Sequence, residues 1–248
     1  MSDILVIPDS HCKPGVGNTR FAWLGKLISH RKPEYVVHLG DLWDMESLSS
    51  YDAKTIHAEG KRYRLDLEAG WDALDTLNDN IRGHRPKKRY CIGNHENRIN
   101  KAVAQAPNLE GLMSFSDLSL KKFGWEQTPF LEALEINGVL FSHYFVSGVM
   151  ARPIGGDNLA ASMIRKVMKS SIAGHIHTLD YAERTDGSGR KIQSLSAGCF
   201  LEPGQFERYA GPANAIWRNC VCYLHDVKDG SFDLEIISID RLKKDYGG

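Results

Sequence analysis

The chain has 248 residues, of which 42% are hydrophobic and 25% are charged, as is usual for a globular protein. Its 31 lysines and arginines balance 31 aspartates and glutamates, so the whole composition gives no basic excess of the kind that nucleic-acid binding favours. No stretch approaches the ~18 apolar residues that a membrane span requires. Because a strand is predicted from Ile4, we also expect no secretory signal. The five cysteines lack paired C-x-x-C spacing, which favours free thiols in a reducing cytoplasm.

Five short apolar runs are predicted as buried strands, and each ends at residue types that bind metals. In chain order the runs are 4–8, 35–39, 89–92, 139–142 and 171–173. They lead respectively into Asp9 and His11, Asp41 and Asp44, Asn94 and His95, His143, and His175 and His177. Sites in open α/β sheets gather at the carboxyl ends of strands, so we expect these endings to converge. A lone His or Asp there is more often a turn residue, but five such endings favour a shared site.

The segments between these strands have helical periodicity, and the second half of the chain has a strand pattern. Helices are predicted over 19–31, over 58–84, and in a segment capped by Asp157. Strands are predicted over 181–185, 191–195, 220–225 and 232–239, joined in pairs by glycine-containing turns. A βαβα half followed by a β-meander predicts two packed sheets with helices outside, as a single domain over residues 1–248.

The strand-end residues are of the types that a two-metal site requires. Asp9-x-His11 places two ligands on the same side of an extended segment, and His175-x-His177 does likewise. The Asp41 carboxylate is suited to bridge two cations about 3.5–4 Å apart. Asn94 and His143 add a neutral carbonyl oxygen and a further imidazole. This mixed oxygen and nitrogen set favours two divalent ions, manganese first, with iron, zinc, cobalt or nickel as alternatives.

His95 follows a predicted ligand without being needed as one. Hydrolysis of a phosphate ester at neutral pH requires a hydroxide, neutralised phosphoryl oxygens and a proton for the leaving group. Two metals supply the first two, and His95 is free to supply the proton. The pattern therefore predicts phosphoester hydrolysis.

In order and spacing, the five blocks between residues 9 and 177 resemble the motif blocks of the calcineurin-like metallophosphoesterases. The resemblance implies a four-layer α/β/β/α sandwich of two mixed sheets with a dinuclear metal site at the carboxyl ends of the strands. It implies that one metal is held by Asp9, His11, Asp41 and His177, and the other by Asp41, Asn94, His143 and His175. It further implies that His95 is the general acid and that Asp44 orients it.

The sequence departs from the family pattern in three places. Met45 and Glu46 stand where the protein serine/threonine phosphatases carry Arg-Gly, which argues against protein phosphatase activity. Tyr144 follows His143 in place of the usual glycine, and Cys12 follows His11; both bear on local geometry only. The chain as a whole resembles small phosphoesterases encoded by bacteriophages and prokaryotes.

Two arginines are candidate substrate-binding residues, each with a plainer alternative. Arg98 lies just beyond His95 and could grip a phosphate with its planar guanidinium, or lie on a helix surface. Arg152 lies in a glycine-flanked loop after His143 and could clamp substrate, or be solvated.

Three other features have competing interpretations. The stretch 199–217 mixes aromatic residues with arginine, so it could stack a base, although anchoring of a long loop is favoured. The basic run 85–89 is predicted to be a solvated turn, and His38 a hydrogen-bonded core residue. Cys220 and Cys222 are predicted to form a buried thiol pair.

The sequence thus predicts a dinuclear metal-dependent phosphoesterase in which metal-bound hydroxide attacks phosphorus. Because a histidine acid is most useful for poor leaving groups, a small phosphodiester or nucleotide substrate is favoured. A DNA or RNA nuclease is the alternative, with nucleic acid not favoured as a partner. A non-catalytic binding scaffold is a weaker alternative, since none of the motif blocks has lost a predicted metal ligand. We expect no membrane association, and the oligomeric state is left open.

Overall fold

Two mixed β-sheets pack face to face in the computed structural model, which describes residues 1–50 and 55–248. The larger sheet has six strands, in the spatial order β13 (Ser231–Ser238), β12 (Cys220–Lys228), β1 (Ser2–Ile7), β2 (Tyr35–His38), β3 (Lys87–Cys91) and β4 (Trp125–Thr128). Strands β1 to β4 run parallel, whereas β12 is antiparallel to both of its neighbours.

The smaller sheet has five strands, in the order β10 (Leu179–Thr185), β11 (Lys191–Ala197), β9 (Ser171–Ala173), β6 (Val139–Ser142) and β5 (Leu134–Ile136). Its three central strands are parallel and its two edge strands are antiparallel. A short ribbon pairs β7 (Val146–Ser147) with β8 (Arg152–Pro153).

Five α-helices accompany the sheets: α1 (Thr19–Arg31), α2 (Tyr63–Asp79), α3 (Arg98–Gln105), α4 (Leu159–Val167) and α5 (Ile239–Tyr246). Short 3₁₀ segments occupy Glu46–Leu48, Ile56–Ala58, Pro107–Leu109, Phe115–Leu118 and Arg208–Ile216. No helix among the described residues is both long enough and apolar enough to cross a membrane.

The alternation of apolar residues along β1 builds the layers. Leu5 and Ile7 point to one face and pack in a core with residues of α1 and α2. Ile4 and Val6 point to the other face and pack in a core with Phe141, Ile172 and other residues of the smaller sheet. Helix α4 covers the outer face of the smaller sheet. The predicted four-layer α/β/β/α sandwich is therefore confirmed.

The five strands predicted to end at the site are all present, as β1, β2, β3, β6 and β9. Within each sheet these strands are parallel neighbours, so their carboxyl ends share one edge. This arrangement brings the five motif blocks together.

Three local predictions about the helices were wrong. Helix α2 spans Tyr63–Asp79 rather than 58–84, since the residues before it form a 3₁₀ turn and a loop. Asp157 does not cap α4; its N-cap is Asn158, and the carboxylate of Asp180, from β10, accepts from the amide of Ala160. The predicted strand 232–239 ends at Ser238, whose hydroxyl caps the unpredicted α5.

Two core predictions were correct. Cys220 and Cys222 are buried free thiols. His38 is buried, accepts from the amide of Gly40 at Nδ1 and lies 3.1 Å from the Ser10 hydroxyl at Nε2. Burial lowers the pKa of His38 to about 3, which keeps this ring neutral.

Candidate metal centre

Four of the predicted ligands have left-handed backbone conformations just beyond their strands. The φ angles are 44° at His11, 51° at Asp41, 73° at His175 and 61° at His177. Such angles are uncommon for residues other than glycine and cluster at functional sites. In each case a short turn at the end of a strand directs the side chain back towards a common point.

One group of ligand atoms comes from Asp9, His11 and His177. His177 Nε2 lies 3.1 Å from Asp9 Oδ2 and 3.2 Å from His11 Nε2. All three residues are buried. Two imidazole nitrogens and a carboxylate at these distances would be satisfied together by one shared cation.

A second group comes from Asp41, His143 and His175. His143 Nε2 lies 3.3 Å from Asp41 Oδ2 and 2.8 Å from Asn94 Oδ1. Asp41, Asn94, His143 and His175 thus lie together, as the family resemblance implied for the second metal. The structure brings all seven predicted ligands into two adjoining groups.

Hydrogen bonds orient several of these ligands. His143 Nδ1 lies 2.9 Å from the Leu39 carbonyl, which fixes the proton on that nitrogen and leaves Nε2 directed at Asp41. The other oxygens of the two aspartates accept from backbone amides, Asp9 Oδ1 from His175 and Asp41 Oδ1 from His95, each at 2.9 Å.

Two motif glycines are required because the ligand carboxylates lie against them. A Cβ on Gly93 would lie 2.1 Å from Asp41 Oδ1, and a Cβ on Gly174 would lie 2.2 Å from Asp9 Oδ1. Any side chain at either position would displace a ligand. The glycines of the Gly-Asn-His and Gly-His-x-His blocks therefore serve the close approach of backbone to carboxylate.

Glu96 holds together the turns that carry the predicted ligands, a role that the sequence did not lead us to expect. Its side chain is fully buried, and one oxygen accepts from the amides of Asp41 and Gly93, each at 2.9 Å. The other oxygen accepts from the amide of Trp43 at 3.1 Å and the hydroxyl of Tyr90 at 2.9 Å. Glu96 thereby ties the turn after β2 to the turn after β3. The signal in the sequence that could have indicated this role is a carboxylate directly after the Gly-Asn-His turn, which is rich in amide donors.

The electrostatics of the centre favour cations. Burial alone would lower the pKa of His11, but the hydrogen bond and charge of Asp44 outweigh it and raise that pKa to about 9. Burial would also lower the pKa of His143, but the charges of Asp41 and Asp9 outweigh burial and raise that pKa to about 9. Against its own burial, Asp41 has a pKa held well below the usual value, chiefly by His143. This negative field, together with the nitrogen and oxygen donor atoms that converge there, fits two divalent ions.

His95 and Asp44 lie together, as predicted. His95 Nδ1 lies 2.7 Å from the backbone carbonyl of Asp44 and 3.0 Å from its carboxylate Oδ1. His95 Nε2 is left facing the centre, 3.7 Å from Asp41 Oδ2. Asp44 also lies 3.4 Å from His11 Nδ1, so one carboxylate contacts both His95 and His11.

The two candidate arginines differ in position. Arg98 lines the cavity above the centre, donates to the carbonyls of Asp44 and Met45, and places Nη2 3.1 Å from His95 Nε2. Arg152 is exposed on β8 and is outside the lining of that cavity. Of these two candidates, Arg98 is the one that lines the cavity at the centre.

The cavity has a volume of about 620 Å³, and one wall comes from the stretch that was favoured as a mere loop anchor. Phe206, Arg208 and Tyr209 line it together with His95 and the ligands. Phe206 is 61% exposed and Tyr209 is 59% exposed. Anchoring fits the fully buried Phe200, whereas Phe206 and Tyr209 are open to the cavity.

No family model matches the chain, and no curated protein sequence matches it. Among solved structures, the phosphoesterase Yfce from E. coli gives a TM-score of 0.43 at 13% identity, covering 96% of this chain and 99% of that one. A conserved protein from Streptococcus pneumoniae TIGR4, described as a predicted phosphoesterase, gives a TM-score of 0.39 at 13% identity, covering 96% of this chain and 90% of that one.

Proposed function

We propose that this protein is a dinuclear metal-dependent phosphoesterase that acts on phosphodiesters or nucleotides. One observation carries the proposal: two adjoining groups of buried and half-buried ligand side chains lie at a cavity that His95 and Arg98 also line. Asp9, His11 and His177 hold one ion in this proposal. Asn94, His143 and His175 hold the other, and Asp41 is shared. Manganese is the favoured metal, given the mixed oxygen and nitrogen donors.

The side chains of the centre divide the work of hydrolysis. Two divalent ions bound there would supply an activated nucleophile and neutralise the charge on the phosphoryl oxygens. His95 donates a proton from Nε2 to the leaving oxygen, while Asp44 accepts at Nδ1 and stabilises the cationic ring. A protonated Nε2 cannot accept from Arg98, so Arg98 Nη2 is free to contact the phosphate while Nη1 still donates to the carbonyls of Asp44 and Met45.

The nuclease alternative has less support from the charges of the described residues. Three of the four basic residues of the run have polar partners: Lys87 has Glu34, Lys88 has Asn78, and Arg89 has Glu126. They lie at the start of β3, whereas the centre follows its end. The scaffold alternative would need a broken ligand group, and the two groups here retain every predicted side chain. A reducing cytoplasm stays our proposed location, since all five cysteines are free.

The test combines a metal count with a substrate panel. Protein stripped and reloaded with manganese should hold two ions per chain. It should also hydrolyse an aryl diester or cyclic nucleotide faster than single- or double-stranded DNA. Asp41→Asn should lose both ions and the activity, whereas Asp75→Asn, on the exposed face of α2, should keep both. One ion or none in the saturated wild type would contradict the dinuclear site, and faster cleavage of DNA would promote the nuclease.

A further inference from the structure

The aromatic wall of the cavity, residues 205–209, exposes two large rings beside the metal centre. Phe206 and Tyr209 are more than half exposed, yet both line the cavity that contains His95 and His177. Apolar surface left open inside a cavity is a common mark of a ligand site.

The wall is held in place by buried polar contacts. Glu207, between the two rings in sequence, is only 1% exposed and pairs with Lys13 Nζ at 2.7 Å. Asn214 brackets it, accepting from the Glu207 amide at 2.9 Å and donating to its carbonyl at 2.8 Å. Gln205 donates to the carbonyl of the ligand His11 at 3.0 Å. The rings are therefore fixed relative to the metal centre.

A chain of aromatic contacts joins the wall to a ligand. The ring centroid of Tyr209 lies 6.4 Å from that of Trp217, which in turn lies 4.2 Å from that of His177 in an edge-to-face contact. A planar group resting on this wall would thus lie within one small molecule's length of a phosphate at the centre.

The charges of the cavity select what such a molecule can be. Arg98 and Arg208 line it, as do Lys13 and Lys61, whose ammonium groups pair with Glu207 and Glu46 respectively. An anionic group with a flat ring beside it satisfies both features, whereas a sugar phosphate would leave the aromatic wall unused. The volume of about 620 Å³ is within the range of pockets for ligands of nucleotide size.

We infer that the substrate is a nucleoside phosphodiester whose base stacks on Phe206 and Tyr209 while its phosphate lies at the metal centre. This inference rests on the proposed phosphoesterase activity and adds the group that is recognised. Stacking of a base on an aromatic side chain is worth about 1–3 kcal/mol, or roughly 5- to 150-fold in binding.

The test uses two diesters with the same leaving group, thymidine 5′-(4-nitrophenyl phosphate) and methyl 4-nitrophenyl phosphate. The ratio of their kcat/KM values should be on the order of 10–100 in the wild type. Replacing both rings, Phe206→Leu with Tyr209→Leu, should bring that ratio to within about threefold of one. Ile216→Ala removes an exposed apolar side chain from the same segment outside the cavity and should leave the ratio unchanged.

Equilibrium binding gives a second readout that needs no turnover. Manganese-loaded wild type should bind adenosine monophosphate about tenfold or more tightly than ribose 5-phosphate, and the double variant should lose that difference. Equal affinities in the wild type, or equal losses on both diesters, would overturn base recognition. Hydrolysis of the methyl ester tests the phosphoesterase itself: if it proceeds without nucleoside preference, only this inference fails, and if neither diester reacts, the proposed function fails first.

Discussion

The metal centre and the aromatic wall of one cavity are positioned in opposite ways. Every ligand of the centre lies within a few residues of a strand end, and the sheets fix where that end is. The wall, residues 205–209, lies in a long segment between β11 and β12 and is fixed by the contact of Glu207 with Lys13, 194 positions away. The centre is buried, whereas Phe206 and Tyr209 are exposed.

The difference suits the metal centre to carry out the reaction and the wall to select the substrate. A centre built on sheet edges holds its ligands rigidly, as a reaction with fixed geometry requires. A wall on a loop can differ in its side chains without moving any ligand. We therefore expect changes at the centre to abolish turnover on all substrates, and changes at the wall to alter only which substrate is preferred.

The largest effect expected here concerns His95. His95→Ala should lower turnover on a dinucleotide by ~10²–10⁴-fold, because its alkoxide leaving group needs a proton. The loss should shrink on bis(4-nitrophenyl) phosphate, whose leaving group needs little protonation. Metal content, measured by elemental analysis, should stay at the wild-type value.

The control for this change is His30→Ala, an exposed histidine on α1 whose Nδ1 lies 2.8 Å from the Tyr246 hydroxyl. It should leave both rates unchanged. If His95→Ala lost the same factor on both esters, His95 would not be the proton donor, and the division between acid and ligands would have to be redrawn.

A smaller effect is expected from Glu96, which supports the centre without contacting substrate. In Glu96→Gln an NH₂ group replaces one of the two carboxylate oxygens. That NH₂ group would face the backbone amide of Trp43, or those of Asp41 and Gly93, which also donate. One buried amide then loses its acceptor, which should cost about 1–3 kcal/mol of unfolding free energy. Metal affinity should fall by ~10–100-fold, as for other changes behind a ligand.

Denaturant unfolding and metal titration measure these two quantities separately. Glu68→Gln, on the exposed side of α2 and paired with Arg64, should change neither. Wild-type metal affinity in Glu96→Gln would mean that the turns after β2 and β3 hold their positions without this carboxylate.

The sequence predicted what depends on strands and failed where distant contacts decide. The blocks from Asp9 to His177 could be placed because parallel strands bring their carboxyl ends together. The two interpretations of Arg152 could not be separated, since nothing local indicates that it lies on the β7–β8 ribbon outside the lining of the cavity. The cap of α4 was misjudged, because its carboxylate comes from Asp180, beyond the helix. The exposed rings of the wall had no periodicity to reveal their role.

The smallest effect is expected at the other end of the strands, where Lys87 and Lys88 begin β3. Lys87 pairs with Glu34 at 3.0 Å, and Lys88 donates to Asn78 and to the Phe123 carbonyl. Burial lowers the pKa of Lys88 to about 8, so this side chain is poorly placed to hold a phosphate in solution. Five residues of strand separate the run from the centre by about 15 Å.

Lys87→Gln with Lys88→Gln should therefore change kcat/KM on a small diester less than twofold and leave the weak affinity for DNA as it was. If the protein were a nuclease that bound DNA through these two lysines, the double variant would instead lose roughly one unit of logarithmic salt slope for each phosphate contact removed. Binding to DNA measured across a salt series decides between the two, with the exposed Lys228→Gln as the matched control.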